Sequence, residues 1–223
     1  MKRVIFNILA TTLAVTAAFT APVVSADNEG ARRYAITITN ITRGQNLAPP
    51  AVVAHNSHYK MFTLGSPASA ELAQLAEAGN GALVLSAAST LPSVYRTALG
   101  SGGIAPGASL TIEIETTKQF SEISVGAMLA TTNDGFMGVD GVNAPNRGTV
   151  TVDAVGYDAG SEANSDNCDF IPGPPCGDKR HNPAASEGYV HVHGGFHIGG
   201  GGLNPAQHDW RNPVAQIEIK RID

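Results

Sequence analysis

Apolar and polar residues alternate most clearly over residues 34–40, where Tyr34, Ile36 and Ile38 are separated by Ala35, Thr37 and Thr39. A period of two predicts a strand with one face in a core. Pro49 and Pro50 interrupt the chain before a second apolar run at 51–55, and further strand-like segments are expected at 60–64, 82–86, 110–115, 123–130, 149–155, 189–193 and 214–222. Helical spacing occurs once: Leu72, Leu75 and Ala76 share a face, Ser66 and Pro67 suit the first turn, and Gly79 suits the end. Short strands punctuated by Gly and Pro, with one short helix, predict an all-β fold, an antiparallel β-sandwich of about eight strands. Internal repeats, heptads and interdomain linkers are absent from the pattern. The Gly-rich stretch 194–202 reads as a loop within one domain spanning 34–223, and the polar segment 27–33, which lacks an apolar period, as disordered.

The first 26 residues change the picture of where the protein works. Lys2 and Arg3 precede an apolar run at 4–19, and Val24-Ser-Ala26 supplies the small residues of a cleavage site. That run is short for a membrane span, so the expectation is export with cleavage after Ala26, to a secreted or periplasmic location; a retained anchor is the alternative. Cleavage leaves 197 residues with 12 basic and 19 acidic side chains, a formal charge of −7 against −5 for the whole chain. This balance argues against nucleic acid and anionic membrane surfaces as partners. Cys168 and Cys176 flank a turn-rich loop containing Pro172, Pro174 and Pro175. In an exported protein they are expected to form a disulfide. The chain-entropy model assigns so short a loop roughly 2.5 kcal/mol, enough to stiffen it locally.

Candidate chemistry concentrates in residues 131–162. Asp134, Asp140, Asp158 and Glu162 lie among glycines and asparagines on either side of the strand predicted at 149–155. Carboxylates gathered on loops repel one another unless a cation or proton intervenes, and hard oxygen donors suit calcium; Asp and Asn also cap ordinary turns. The motif Thr-Asn-Asp-Gly-Phe-Met-Gly-Val-Asp at 132–140, followed by Tyr-Asp-Ala-Gly-Ser-Glu at 157–162, resembles the spondin N-terminal domain of F-spondin, mindin and bacterial secreted proteins. The strand at 34–40 and Asn-Pro-Val-Ala-Gln-Ile-Glu-Ile at 212–219 resemble the family's opening and closing strands. The resemblance implies a C2-like sandwich, an adhesive recognition role, and a calcium ion held by Asp134, Asp158 and Glu162; Asp140, as one of the gathered carboxylates, is a further candidate on its residue type alone. Glu162 departs from the family's usual Asp, keeping the charge on a longer arm.

A second cluster follows at 187–197. On a strand, Glu187, Tyr189, His191 and His193 would share one face, and a His-x-His pair is a way of presenting imidazoles to zinc, copper or iron. His197 lies just beyond, and His55 or His208 could join through the fold; the same imidazoles could simply pack a polar sheet face. Zinc-protease, nucleophile-elbow, Walker and EF-hand signatures are missing, and Trp210 reads as a core anchor. Two function classes result. One is a non-catalytic, calcium-binding recognition or adhesion module for an extracellular glycan, matrix or envelope protein. The alternative is a zinc- or copper-binding metalloprotein or metalloenzyme built on His191, His193 and His197.

Overall fold

The computed structural model describes residues 30–178, 180–196 and 202–223; the expected leader (1–26) and His197 lie outside these. In chain order the elements are β1 (Arg32–Asn40), β2 (Ala51–His55), α1 (Ala70–Ala78), α2 (Gly81–Ala88), β3 (Val94–Leu99), β4 (Ser109–Thr116), β5 (Glu122–Met128), β6 (Gly135–Asn143), β7 (Thr149–Asp158), β8 (His191–Val192), α3 (Pro205–His208) and β9 (Ala215–Arg221). The strands follow the order β3-β2-β5-β6-β7-β9-β1-β4, with β8 added alongside β7. All named pairings are antiparallel.

β7 turns the corner between the two halves of this sheet. Its first residues, 149–154, pair with β9, and 155–158 pair with β6. Its C-terminal end is therefore a junction of β6, β7 and β8. The terminal strands β3 and β4 face each other across the remaining gap, where Arg96 Nε and Glu115 lie 3.5 Å apart, and the sheet forms a nearly closed sandwich.

Alternation decides which side chains fill it. Tyr34, Ile36 and Ile38 point inward as expected, joined by Ile112, Ile114, Ile217, Ile219, Val52, Val125 and Met137. The opposite face of β2 carries Ala51 and Val53, which pack under Leu72, Leu75 and Ala76 of α1 and Val84 and Leu85 of α2. With apolar cover on both faces, every residue of β2 is buried.

Several elements differ from expectation, each for a local reason. The run at 82–86 is not a strand but lies within α2: Ala and Leu are strong helix formers, and Val84, Leu85 and Ala88 fall on one helical face. α1 ends at Gly79 in the left-handed conformation but starts three residues later than expected, with the Ser69 side chain accepting from the Leu72 N–H. Residues 60–64 form no strand; the Met61 N–H is held by the Asp140 side chain. β1 begins at Arg32, opposite Thr116, so Arg32 and Arg33 belong to the ladder. The segment 189–193 contributes only the two residues of β8. β3 and β6 were not anticipated; β6 occupies much of the stretch expected to be an acidic loop, and its residues 135–139 are buried.

Candidate functional site

Asp134 immediately precedes β6 and Asp158 ends β7, where Gly135 and Asp158 are register partners. The Ala159 N–H donates to the Asp134 carbonyl at 3.1 Å, so two residues 24 apart in sequence are neighbours. Both are fully buried. The chain beyond β7 then wraps Asp134: its Oδ2 accepts from the N–H groups of Ser161 at 2.7 Å and Glu162 at 2.9 Å, and from the Ser161 hydroxyl at 3.2 Å. Its other oxygen, Oδ1, is buried and has no hydrogen-bond partner among the described residues. Burial, then the charge of Asp158, push the Asp134 carboxyl up to about 7, against the opposing effect of the three hydrogen bonds.

The turn that makes this wrapping possible depends on Gly160, which has φ +64° and would place a Cβ 2.3 Å from the Tyr189 carbonyl oxygen. Its N–H donates to Asp158 Oδ1 at 2.6 Å, and Asn164 Nδ2 donates to Asp158 Oδ2. The expected disulfide between Cys168 and Cys176 is present. Its loop is tied to the segment that leads into Asp134: the Gly173 N–H donates to the Ala130 carbonyl at 2.8 Å and the Thr131 hydroxyl to the Pro174 carbonyl at 2.9 Å. The Asn133 side chain in turn accepts from the N–H groups of Ser165 and Asp166.

Glu162 is buried too, yet its carboxylate is directed elsewhere. Oε1 accepts from the Asn182 N–H at 3.0 Å and lies 2.8 Å from His181 Nδ1, which is also 3.3 Å from Glu77 of α1. Oε2 is buried without a partner among the described residues. Burial raises the Glu162 carboxyl above its usual range, the Asn182 N–H opposes this, and the Glu77 charge adds to the rise. Asp140 is six residues along β6 from Asp134, about 20 Å at strand rise. It accepts from the Met61 N–H and the Ser124 hydroxyl and pairs with Lys60 at 3.2 Å. It is therefore not brought to Asp134 and Asp158.

The histidine segment converges on the acidic end. His191 is the register partner of Asp158, and its Nε2 lies 3.7 Å from Asp158 Oδ1. His193 is buried with its ring 5.0 Å from that of Trp210; its Nδ1 accepts from the Gly195 N–H and its Nε2 is 4.0 Å from Asp158 Oδ2. Trp210, the expected core anchor, lies over Gly156, where a Cβ would meet the indole at 2.7 Å. His55 is remote from this end, held between the Asn56 carbonyl and the Ser124 hydroxyl, and His208 sits in α3. Among the described residues, two groups of three side chains could hold a cation: Glu77, Glu162 and His181, and Asp158, Glu187 and His191. No spacing in the sequence marks Glu77, His181 or Asn164; only the fold brings them in.

Comparison with family models matches residues 46–166 to the spondin N-terminal domain, Spondin_N. The matched range is just over half of the chain, contains Asp134, Asp158 and Glu162, and stops short of His191. A search of curated proteins finds no match.

Proposed function

The chain belongs to the spondin N-terminal domain family, and from that premise we propose that it is an exported, non-catalytic recognition module whose acidic end binds calcium. The observation that carries this reading is the Asp134 carboxylate, fully buried beside Asp158, with Oδ1 left without a hydrogen-bond partner among the described residues. Two buried carboxylates without a Lys or Arg paired to them among the described residues are costly, and a hard divalent ion offsets that cost. Asp134 and Asp158 supply the charge, while Glu162, whose N–H rests on Asp134, would have to turn its carboxylate from Asn182 and His181 to join them. Calcium would lock the turn at 159–162 onto the start of β6. It would thereby stiffen the surface carrying exposed Tyr189 and Val192, which we assign to contact with an extracellular glycan, matrix or envelope protein. The disulfide and the family fit an extracellular setting.

Thermal unfolding with and without calcium tests this. Extracellular calcium modules bind at about 0.1 to 1 mM, so a tenfold excess over Kd adds about 1.4 kcal/mol, equivalent to about 3 to 6 °C in Tm for a domain of this size. Asp134→Asn and Asp158→Asn should each abolish the rise. A wild-type chain indifferent to calcium would end the proposal.

A further inference from the structure

The arrangement of β8 against the end of β7 carries a second site. Directly opposed residues of an antiparallel pair project to the same face, so His191 stands beside Asp158. The His191 Nδ1 lies 3.0 Å from the Val192 carbonyl oxygen. A carbonyl only accepts, so this nitrogen carries the proton, and in the neutral ring Nε2 presents a lone pair. That Nε2 is shielded from solvent, has no hydrogen-bond partner among the described residues, and faces Asp158 Oδ1 across 3.7 Å. Two acceptors thus confront each other beyond hydrogen-bonding distance. The gap is close to the spacing of about 3.3 Å between neighbouring ligands of a tetrahedral ion bound at 2.0–2.1 Å. A metal-binding histidine typically donates its other N–H to a backbone carbonyl, as here.

Glu187 completes the group: ligand atoms of Asp158, Glu187 and His191 all lie within 4.8 Å of one another. Asn164 Nδ2 donates to Asp158 Oδ2 and, at 3.4 Å, to Glu187 Oε1, aligning the two carboxylates. Exposure increases across the group, from buried Asp158 through partly covered His191 to exposed Glu187, leaving one side open to water or a ligand. By contrast, His181 already contacts Glu162 at 2.8 Å, a direct hydrogen-bonding distance that needs no ion.

We infer that Asp158, Glu187 and His191 form a second cation site, for a borderline divalent ion of the zinc type, sharing Asp158 with the proposed calcium site but assembled without Asp134 or Glu162. One nitrogen and two oxygens suit zinc, whereas calcium takes oxygen donors. Three protein ligands leave a fourth position for water or an external donor.

The test is calorimetric titration of zinc chloride into tag-free, EDTA-stripped chain at pH 7.5. One zinc per chain is expected. His191→Ala, Glu187→Gln and Asn164→Ala should each weaken it by about tenfold or more, and Asp134→Asn should leave it unchanged. Glu187 is exposed, so Glu187→Gln keeps its fold, checked by near-ultraviolet circular dichroism. Absence of zinc binding by the wild-type chain, wild-type affinity in Glu187→Gln, or loss of zinc in Asp134→Asn would each overturn the inference. Zinc binding with no calcium response would refute the calcium reading and leave this one standing.

Discussion

Calcium binding at Asp134 should be linked to proton release, and the size of the linkage follows from burial. The carboxyl has an ordinary value of 3.8 and is raised to about 7 in the folded chain by desolvation and by Asp158. In the absence of a cation the folded state therefore holds a proton that the unfolded state has already released. The stability this contributes is fully present below pH 3.8 and is lost as pH rises through about 7. Calcium needs the ionised form. With a midpoint near 7, about one-tenth of the chains are ionised at pH 6 and about nine-tenths at pH 8, so the apparent affinity should rise about tenfold, or about 1.4 kcal/mol, over that interval. Glu162, also raised by burial, acts with the same sign. Calorimetry at pH 6, 7 and 8 measures the affinity, and repeating it in buffers of different ionisation enthalpy counts the protons released. Asp134→Asn should lose both the calcium and the proton. An affinity unchanged between pH 6 and 8, or full calcium affinity in Asp134→Asn, would refute the reasoning.

Two further predictions concern the loop that carries the site. Glu162→Ala leaves the buried Asn182 N–H without its acceptor and should cost about 1–3 kcal/mol in urea unfolding of the calcium-free chain; an unchanged midpoint would show that the Asn182 contact contributes nothing. Gly160→Ala imposes a left-handed conformation on an L side chain and drives a Cβ to 2.3 Å from the Tyr189 backbone. It should destabilise the chain by about 1–3 kcal/mol or more and weaken calcium binding with it; wild-type stability would mean that the turn tolerates another path.

Much of the fold was legible because its signals are local. Period-two alternation placed β1 and its inward residues Tyr34, Ile36 and Ile38, and Gly79 marked the end of α1 because an αL position favours glycine. β6 was not legible. Its sequence, Gly-Phe-Met-Gly-Val-Asp-Gly-Val-Asn, carries three glycines and no alternation, and it is a strand because β5 and β7 flank it and take up its backbone hydrogen bonds. The apolar run in α2 is equally ambiguous in isolation; packing of Val84 and Leu85 onto the outer face of β2 selects the helix.

The candidate site divides along the same line. By itself the sequence determined which side chains carry charge and imidazole, that Asp134 and Asp158 sit in two related motifs, and that Cys168 and Cys176 close a short loop; residue type and local spacing suffice for these. Tertiary structure alone decided the partners. Antiparallel register set His191 opposite Asp158 and joined two clusters that look separate along the chain. The distance along β6 removed Asp140 from the group. The path of the chain after Gly160 turned the Glu162 carboxylate toward Asn182 and His181 while leaving its N–H on Asp134. Pairing register and loop path depend on contacts between residues far apart in sequence, and no local period encodes them.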